Sequence, residues 1–498
     1  MMIYFRFFSL ILSMFLCFNL YSSSLSNPPS ETQQIALISK IIRHSTSDQM
    51  RKVWPNFDMS QKPVFITFGN GHIYAFNFKP KEGDWKSSRF EDKDIFYTDQ
   101  DMWGITTSPM QFNFEIDGQE AFVFRLDMMP KPQFLPFFVM VHERFHVYQM
   151  SHFASEKHIG VGQYTESENP KNLALMQVEE KVLLNFLKAL LENKHKEAMT
   201  HLKTYLAVSK TRRSLLSAES LTWEDRQQMV EGLADYTASK YLDVFGYFGS
   251  QVGLNHIIHT MVAYAQDEDI SARALKWRHY GVGCSLAYAL DFLNVSDWKT
   301  QVEQNVSLQS ILEKHLKNTE MEGTALYLQA MQQYGYSNLF REIHHKIEAY
   351  QGMLNKCRAN FDQEAGVVIN IQTPPRSGIS AGGYSRGVYS LSDGSMLSIE
   401  DTSKISSADS LWNLEFKSIP YLYQTNDGFR RFKDRSETLV LTVDGKRCQL
   451  KDLQGQKTFH ALTLQGERCR FVSNENPGII YYQEGELKIT YLTDAKSH

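Results

Sequence analysis

Apolar and polar positions alternate through the early part of the chain. Pro63-Val64-Phe65-Ile66-Thr67-Phe68 and Ala121-Phe122-Val123-Phe124-Arg125-Leu126 follow a period of two, which predicts strands. Turn signals at Gly69-Asn70-Gly71 and Asp117-Gly118 separate such runs. From Leu135 to about Asn360 apolar residues recur three and four apart, most clearly over 172–191 and 222–242. That spacing predicts amphipathic helices. The pattern breaks at Thr373-Pro374-Pro375-Arg376-Ser377-Gly378. Beyond it, runs such as Thr438-Leu439-Val440-Leu441-Thr442-Val443 and Leu487-Lys488-Ile489-Thr490-Tyr491-Leu492 alternate again. They recur at roughly 8–12 residues, as in an all-β sandwich or barrel.

The expected fold class is therefore α+β. A strand-rich part over 25–134 precedes a helical lobe over 135–362, and a C-terminal all-β domain covers 366–498. Residues 1–24 stand apart from all three. Arg6 is the only charged residue before Glu31, the stretch Phe7 to Phe18 is apolar, and Ser22-Ser23-Ser24 follows. This reads as a cleavable secretory signal, so the expected location is secreted, periplasmic or extracellular. No other segment is long and apolar enough to span a bilayer.

Composition narrows the partners. With 52 Lys+Arg against 56 Asp+Glu, a net charge of -4 gives no electrostatic case for nucleic acid. Removal of the signal leaves Cys284, Cys357, Cys448 and Cys469. An even number in an exported chain permits two disulfides. Cys448 with Cys469 would bridge neighbouring strands, and Cys284 with Cys357 is the remaining pair. The alternative for Cys284, in an apolar helix, is a buried free thiol.

One motif carries candidate chemistry: His142-Glu143-Arg144-Phe145-His146. Histidines at i and i+4 share a helical face, close enough for both imidazoles to bind one zinc ion. Glu143 is rotated by about 100° from His142, so it reaches a metal-bound water without being a ligand. Pro136 suits the first turn of this helix, and Phe137-Phe138-Val139-Met140-Val141 is apolar all round, as in an interior helix. A tetrahedral catalytic zinc needs a third protein ligand. His152 has the metzincin spacing, but Gln149 stands where that pattern has the glycine that turns the chain back. On a continuing helix His152 would lie about 9 Å beyond His146 along the axis. Glu231-Gly232-Leu233-Ala234-Asp235-Tyr236 offers a better ligand. In a helix Glu231 and Asp235 share a face, so Glu231 can complete the site while Asp235 accepts the free N–H of a ligating imidazole. His256 and His259 are three apart but have no third ligand nearby.

HExxH followed by ExxxD on a second helix resembles the gluzincin clan, the zinc peptidases of the thermolysin-like kind. The resemblance covers about residues 110–295. It implies a zincin-like catalytic unit with Zn2+ on His142, His146 and Glu231, Glu143 as general base and Asp235 as the orienting acid. Arg278-His279-Tyr280-Gly281-Val282-Gly283 resembles the Tyr-bearing stretch of the clan's aminopeptidase branches. It implies Tyr280 as the oxyanion donor, with His279 as second choice. The strand at Ala121–Leu126 would hold an extended substrate by backbone pairing. No Gly-x-Met-Glu-Asn motif occurs upstream, so no aminopeptidase family is assigned.

The expected function is a secreted zinc metallohydrolase acting on peptide or protein substrates. Two alternatives stand beside it. One is a non-enzymatic secreted binding protein that keeps a zincin scaffold; the other is a zinc amidase acting on non-peptide substrates.

Overall fold

The computed structural model describes residues 30–44, 48–68, 71–81, 83–90, 93–99, 110–128, 134–153, 164–265 and 272–372. In the C-terminal part it describes 379–382, 388–390, 396–398, 404–407, 412–416, 422–424, 429–434, 439–453, 455–473 and 477–491. The expected signal and the break at 373–378 lie outside these residues.

Helices α1 (Glu31–His44) and α2 (Asp48–Val53) precede a six-stranded sheet. Its strands are β1 (Val64–Thr67), β2 (Ile73–Phe76), β3 (Lys86–Phe90), β4 (Lys93–Thr98), β5 (Met110–Ile116) and β6 (Gln119–Arg125). They lie in the order β3-β4-β2-β1-β6-β5. β1 and β6 are parallel, with Val64 opposite Phe122; the other neighbours are antiparallel.

Period two sorts the side chains by face. Val64, Ile66, Phe122 and Phe124 enter the main core. Phe65, Ala121 and Val123 fill a smaller cluster on the opposite face with Phe78, with Trp85 packed against it. Asp117 and Gly118, at φ 52° and 70°, form the tight hairpin between β5 and β6 that needs positive φ at both positions. β6 is paired on both sides, so Ala121–Leu126 has no free ladder for an extended substrate. Among the described strands of this sheet, the outer ones are β3 and β5.

The helical part then follows: α3 (Leu135–His152), α4 (Pro170–Leu191), α5 (His195–Arg213), α6 (Ala218–Gln227), α7 (Leu233–Phe245), α8 (Val252–Ala265) and α9 (Ala272–Phe292). After these come α10 (Trp298–Glu303), α11 (Leu308–His315), α12 (Glu320–Gln333) and α13 (Tyr336–Gln363). Every residue of α3 from Phe137 to His146 is buried, as its unbroken apolar run predicts. The sheet and these helices share one core, in which Phe122 and Phe124 join Phe138 and Phe145. Among the described residues, no helix is long and apolar enough to cross a membrane.

The pattern over 222–242 predicts one α-helix. Instead α6 and α7 are joined by a widened π turn, Gln228–Gly232. Gly232 and Gly283 explain how α9 comes so close to this turn. A Cβ on Gly232 would sit 2.5 Å from the Cα of Gly283, and one on Gly283 would sit 2.3 Å from the Gln228 carbonyl oxygen. Glycine at both positions lets the two backbones touch.

The C-terminal strands form two sheets, of eight and seven strands. Val367–Gln372 lies within the first, antiparallel to Phe429–Asp434 and parallel to Glu486–Tyr491. Alternate residues of both sheets meet in a second core: Ile369, Phe432 and Ile489 from one, Leu414, Leu464 and Phe471 from the other. The whole is a mixed helix and sheet structure with a helical core and C-terminal strands, as the change of period predicts.

The disulfide expectation is overturned. Cys284, Cys448 and Cys469 are all free. Cys448 (in Lys446–Cys448) and Cys469 (in Cys469–Ser473) have Val440–Val443 and Leu462–Gln465 between them in the sheet. At ~4.8 Å per strand they stand roughly 14 Å apart, about twice the reach of a disulfide. Cys284 is the buried thiol of the alternative reading.

Candidate metal centre

α3 places His142 and His146 one turn apart, both buried, with their Nε2 atoms 3.0 Å apart. Glu231 comes from the π turn. Its Oε2 lies 3.2 Å from His146 Nε2 and 3.7 Å from His142 Nε2. Asp235, one turn along in α7, has Oδ1 2.7 Å from His142 Nδ1. The sequence thus brings His142, His146, Glu231 and Asp235 together from two elements more than eighty residues apart.

The hydrogen bonds show how each imidazole is held through its Nδ1. Gln149 Nε2 donates to the carbonyls of Met229 and Val230, at 3.0 and 2.9 Å. Its Oε1 is therefore an acceptor, and it receives the Nδ1 proton of His146 at 2.7 Å. Asp235 receives the Nδ1 proton of His142 in the same way. Both Nε2 atoms then face each other and the Glu231 carboxylate. Burial opposes charge on His142, yet the Asp235 and Glu231 carboxylates outweigh it and hold the imidazole up to about 10. Burial likewise opposes charge on Glu231, but Lys276 and the two histidines hold its carboxyl well below the usual range. Two nitrogens and a carboxylate oxygen enclose a spot that favours positive charge.

Glu143 sits beside that spot. It is fully buried, and neither carboxyl oxygen has a hydrogen-bond partner. Burial pushes it up to about 8, with Glu231 and Asp235 adding to the rise and His142 and Lys276 opposing it. Ligand atoms of His142, Glu143 and His146 lie within 4.8 Å of one another, a buried group that can hold a metal ion. The orphaned carboxyl of Glu143, beside two imidazole nitrogens that converge with Glu231, fits a bound cation better than an ordinary polar core, where a buried carboxyl is paired.

The remaining candidates divide. Tyr280 is at the site: its ring lies parallel to that of His142, 6.0 Å away at 4°. Burial and the Glu231 carboxylate that its hydroxyl faces raise its pKa well above the ordinary value, so it stays a donor. His279 faces elsewhere. Its ring meets Trp223 edge-on at 5.3 Å, Gln228 Nε2 lies 3.4 Å from its Nδ1, and burial pushes it down to about 3. It adjoins a buried ion network in which Arg212 binds Glu224 through both nitrogens at 2.7 Å and Glu179 at 2.8 Å. Arg278 binds Glu179 and Glu180 at 2.6 and 2.7 Å in the same network. His152 continues α3, with its ring stacked on Tyr148 at 3.9 Å.

Two residues of the site were not read from the sequence. Lys276 Nζ lies 2.9 Å from Glu231 Oε1, one turn before Tyr280 on α9. In the sequence Gln149 stands out only as the residue in place of a glycine. Its place three residues after His146, on the same helical face, is the signal that points to it. Because it fixes the His146 tautomer and also caps two carbonyls of the π turn, Gln149→Leu is expected to weaken metal binding ~10–100-fold. Competition against a chromophoric chelator measures this; an unchanged affinity would leave Gln149 as packing alone.

Compared with family models, with curated proteins and with solved structures, the chain matches none.

Proposed function

We propose that this chain is an exported zinc-dependent hydrolase, a peptidase of the gluzincin kind. The observation that carries the reading is the pairing of Glu143 with its surroundings. A buried, unpartnered carboxyl stands beside two imidazole nitrogens and one carboxylate oxygen that converge on a single spot. A purely structural metal site has no use for such a base, and it closes its fourth position with another Cys or His. Among the described residues, neither joins the group.

His142, His146 and Glu231 would hold the ion, and Asp235 and Gln149 would orient the two imidazoles. A zinc ion held there supplies Lewis acidity, polarising the scissile carbonyl and acidifying water near neutral pH. Glu143 takes the proton from the attacking water and delivers it to the leaving nitrogen. Tyr280, kept protonated, donates to the developing oxyanion. We assign that part to Tyr280 rather than His279, whose ring is turned to Trp223 and the ion network.

Metal analysis tests the reading. The purified mature chain, stripped and reloaded with zinc, should hold one equivalent, and Glu231→Ala should hold far less. Wild-type protein that takes up no zinc or similar divalent metal would end the proposal. Full zinc occupancy with no hydrolysis of casein-like proteins, short peptides or simple amides would favour a binding protein on the same scaffold.

A further inference from the structure

Glu231 has two oxygens in different company. Oε2 faces the two imidazoles at 3.2 and 3.7 Å, whereas Oε1 is 2.9 Å from Lys276 Nζ. The Lys276 side chain is only 9 % exposed, and its ammonium lies over the rings of Trp277 and Tyr280, whose centres are 5.5 and 5.6 Å from Nζ. A buried ammonium needs a partner, and Lys276 pairs with Glu231.

This arrangement has two consequences. A carboxylate with both oxygens free can chelate a cation through both, but one whose second oxygen is tied to an ammonium offers a single oxygen. The ammonium and a divalent ion also compete for the same carboxylate, because like charges a few ångströms apart in a buried site repel. Resting on the reading of Glu231 as a metal ligand, we infer that Lys276 is a positioning residue that restricts Glu231 to one-oxygen coordination. Acting also as a fixed competing cation, it sets metal affinity below what the ligands alone would give. The restriction keeps a coordination position open, as a catalytic site requires. The competition leaves the bound ion more electron-poor than a free carboxylate would.

The sign of the effect separates this from a merely structural role. A lysine that only braced the fold would, when removed, loosen the site and weaken the metal. Lys276→Met, close in length and uncharged, should instead bind zinc more tightly, on the order of tenfold, in competition with a chromophoric chelator. In the cobalt-substituted full chain, the visible bands should lose intensity as Glu231 turns from one-oxygen to two-oxygen binding and coordination rises from four to five. Lys276→Arg, which keeps the charge, should restore both readouts toward wild type. Lys276→Leu, with folding of every variant checked by circular dichroism, gives an independent uncharged replacement if the methionine variant does not fold. Weaker zinc binding in the folded uncharged variants, or a cobalt spectrum identical to wild type, would overturn the inference and leave the metal site standing. Wild-type protein that binds neither zinc nor cobalt would instead bring down the reading on which it rests.

Discussion

Glu143→Gln is expected to abolish most hydrolysis while leaving the metal in place. The substitution keeps the shape of the side chain and touches none of His142, His146 and Glu231, so zinc content should match wild type. Neither carboxyl oxygen of Glu143 has a hydrogen-bond partner, so the amide forfeits no bond. Because burying that carboxyl costs free energy, reflected in its rise to about 8, thermal stability should stay level or increase. What is lost is the proton acceptor, and positioned acid–base catalysis is worth ~10²–10⁴-fold in rate. Rates on casein-like and short peptide substrates, measured beside metal content and melting temperature, separate these effects. A variant as active as wild type on any substrate the wild type cleaves would end the mechanism, whatever its metal content.

That such a site was legible at all follows from local spacing. His142 and His146 meet because an α-helix fixes the distance between i and i+4, and the apolar run from Phe137 to Val141 already implied an interior helix. Period two placed Phe122 and Phe124 on one face of β6 and Ala121 and Val123 on the other. Other features depend on contacts between distant elements, which spacing does not encode. The π turn at Gln228–Gly232 interrupts a pattern that reads as continuous α-helix, and Gly232 shows its purpose only when Gly283 is seen against it. Cys448 and Cys469 sit in one β-rich region, but strand order puts two strands between them. Gln149 and Lys276 are ordinary polar residues in sequence; their parts follow from the carbonyls of Met229 and Val230 and from the second oxygen of Glu231.

The largest expected stability effect lies behind the site, in the network that ties α4, α5, α6 and α9 together. Arg212 is 1 % exposed and its partners Glu179 and Glu224 are fully buried. Arg212→Met would leave Glu179 to Arg278 and Glu224 to Tyr164 and the more distant Arg213, too little to balance two buried carboxylates. Breaking one side of a buried ion pair typically costs ~3–5 kcal/mol, enough to cost this chain a large part of its stability. Arg212→Met combined with Glu224→Leu should recover much of the loss, because a charge-free, well-packed substitute for a buried pair is often close to neutral. Acid offers a second handle. Burial opposes ionisation of Glu224, but Arg212 outweighs it and holds the carboxyl far below its ordinary value of 4.5. A carboxyl depressed in the folded state stabilises fully above its unfolded pKa, and that contribution drains away as pH falls below it. Metal-free wild type should therefore lose stability steeply below about pH 4.5, and the double variant less steeply. Denaturant unfolding at pH 7 and pH 4 measures both effects. Arg212→Met unfolding within ~1 kcal/mol of wild type at pH 7 would mean that the network only fills space. In that case the π turn would owe its place to the contact of Gly232 with Gly283 and to Gln149.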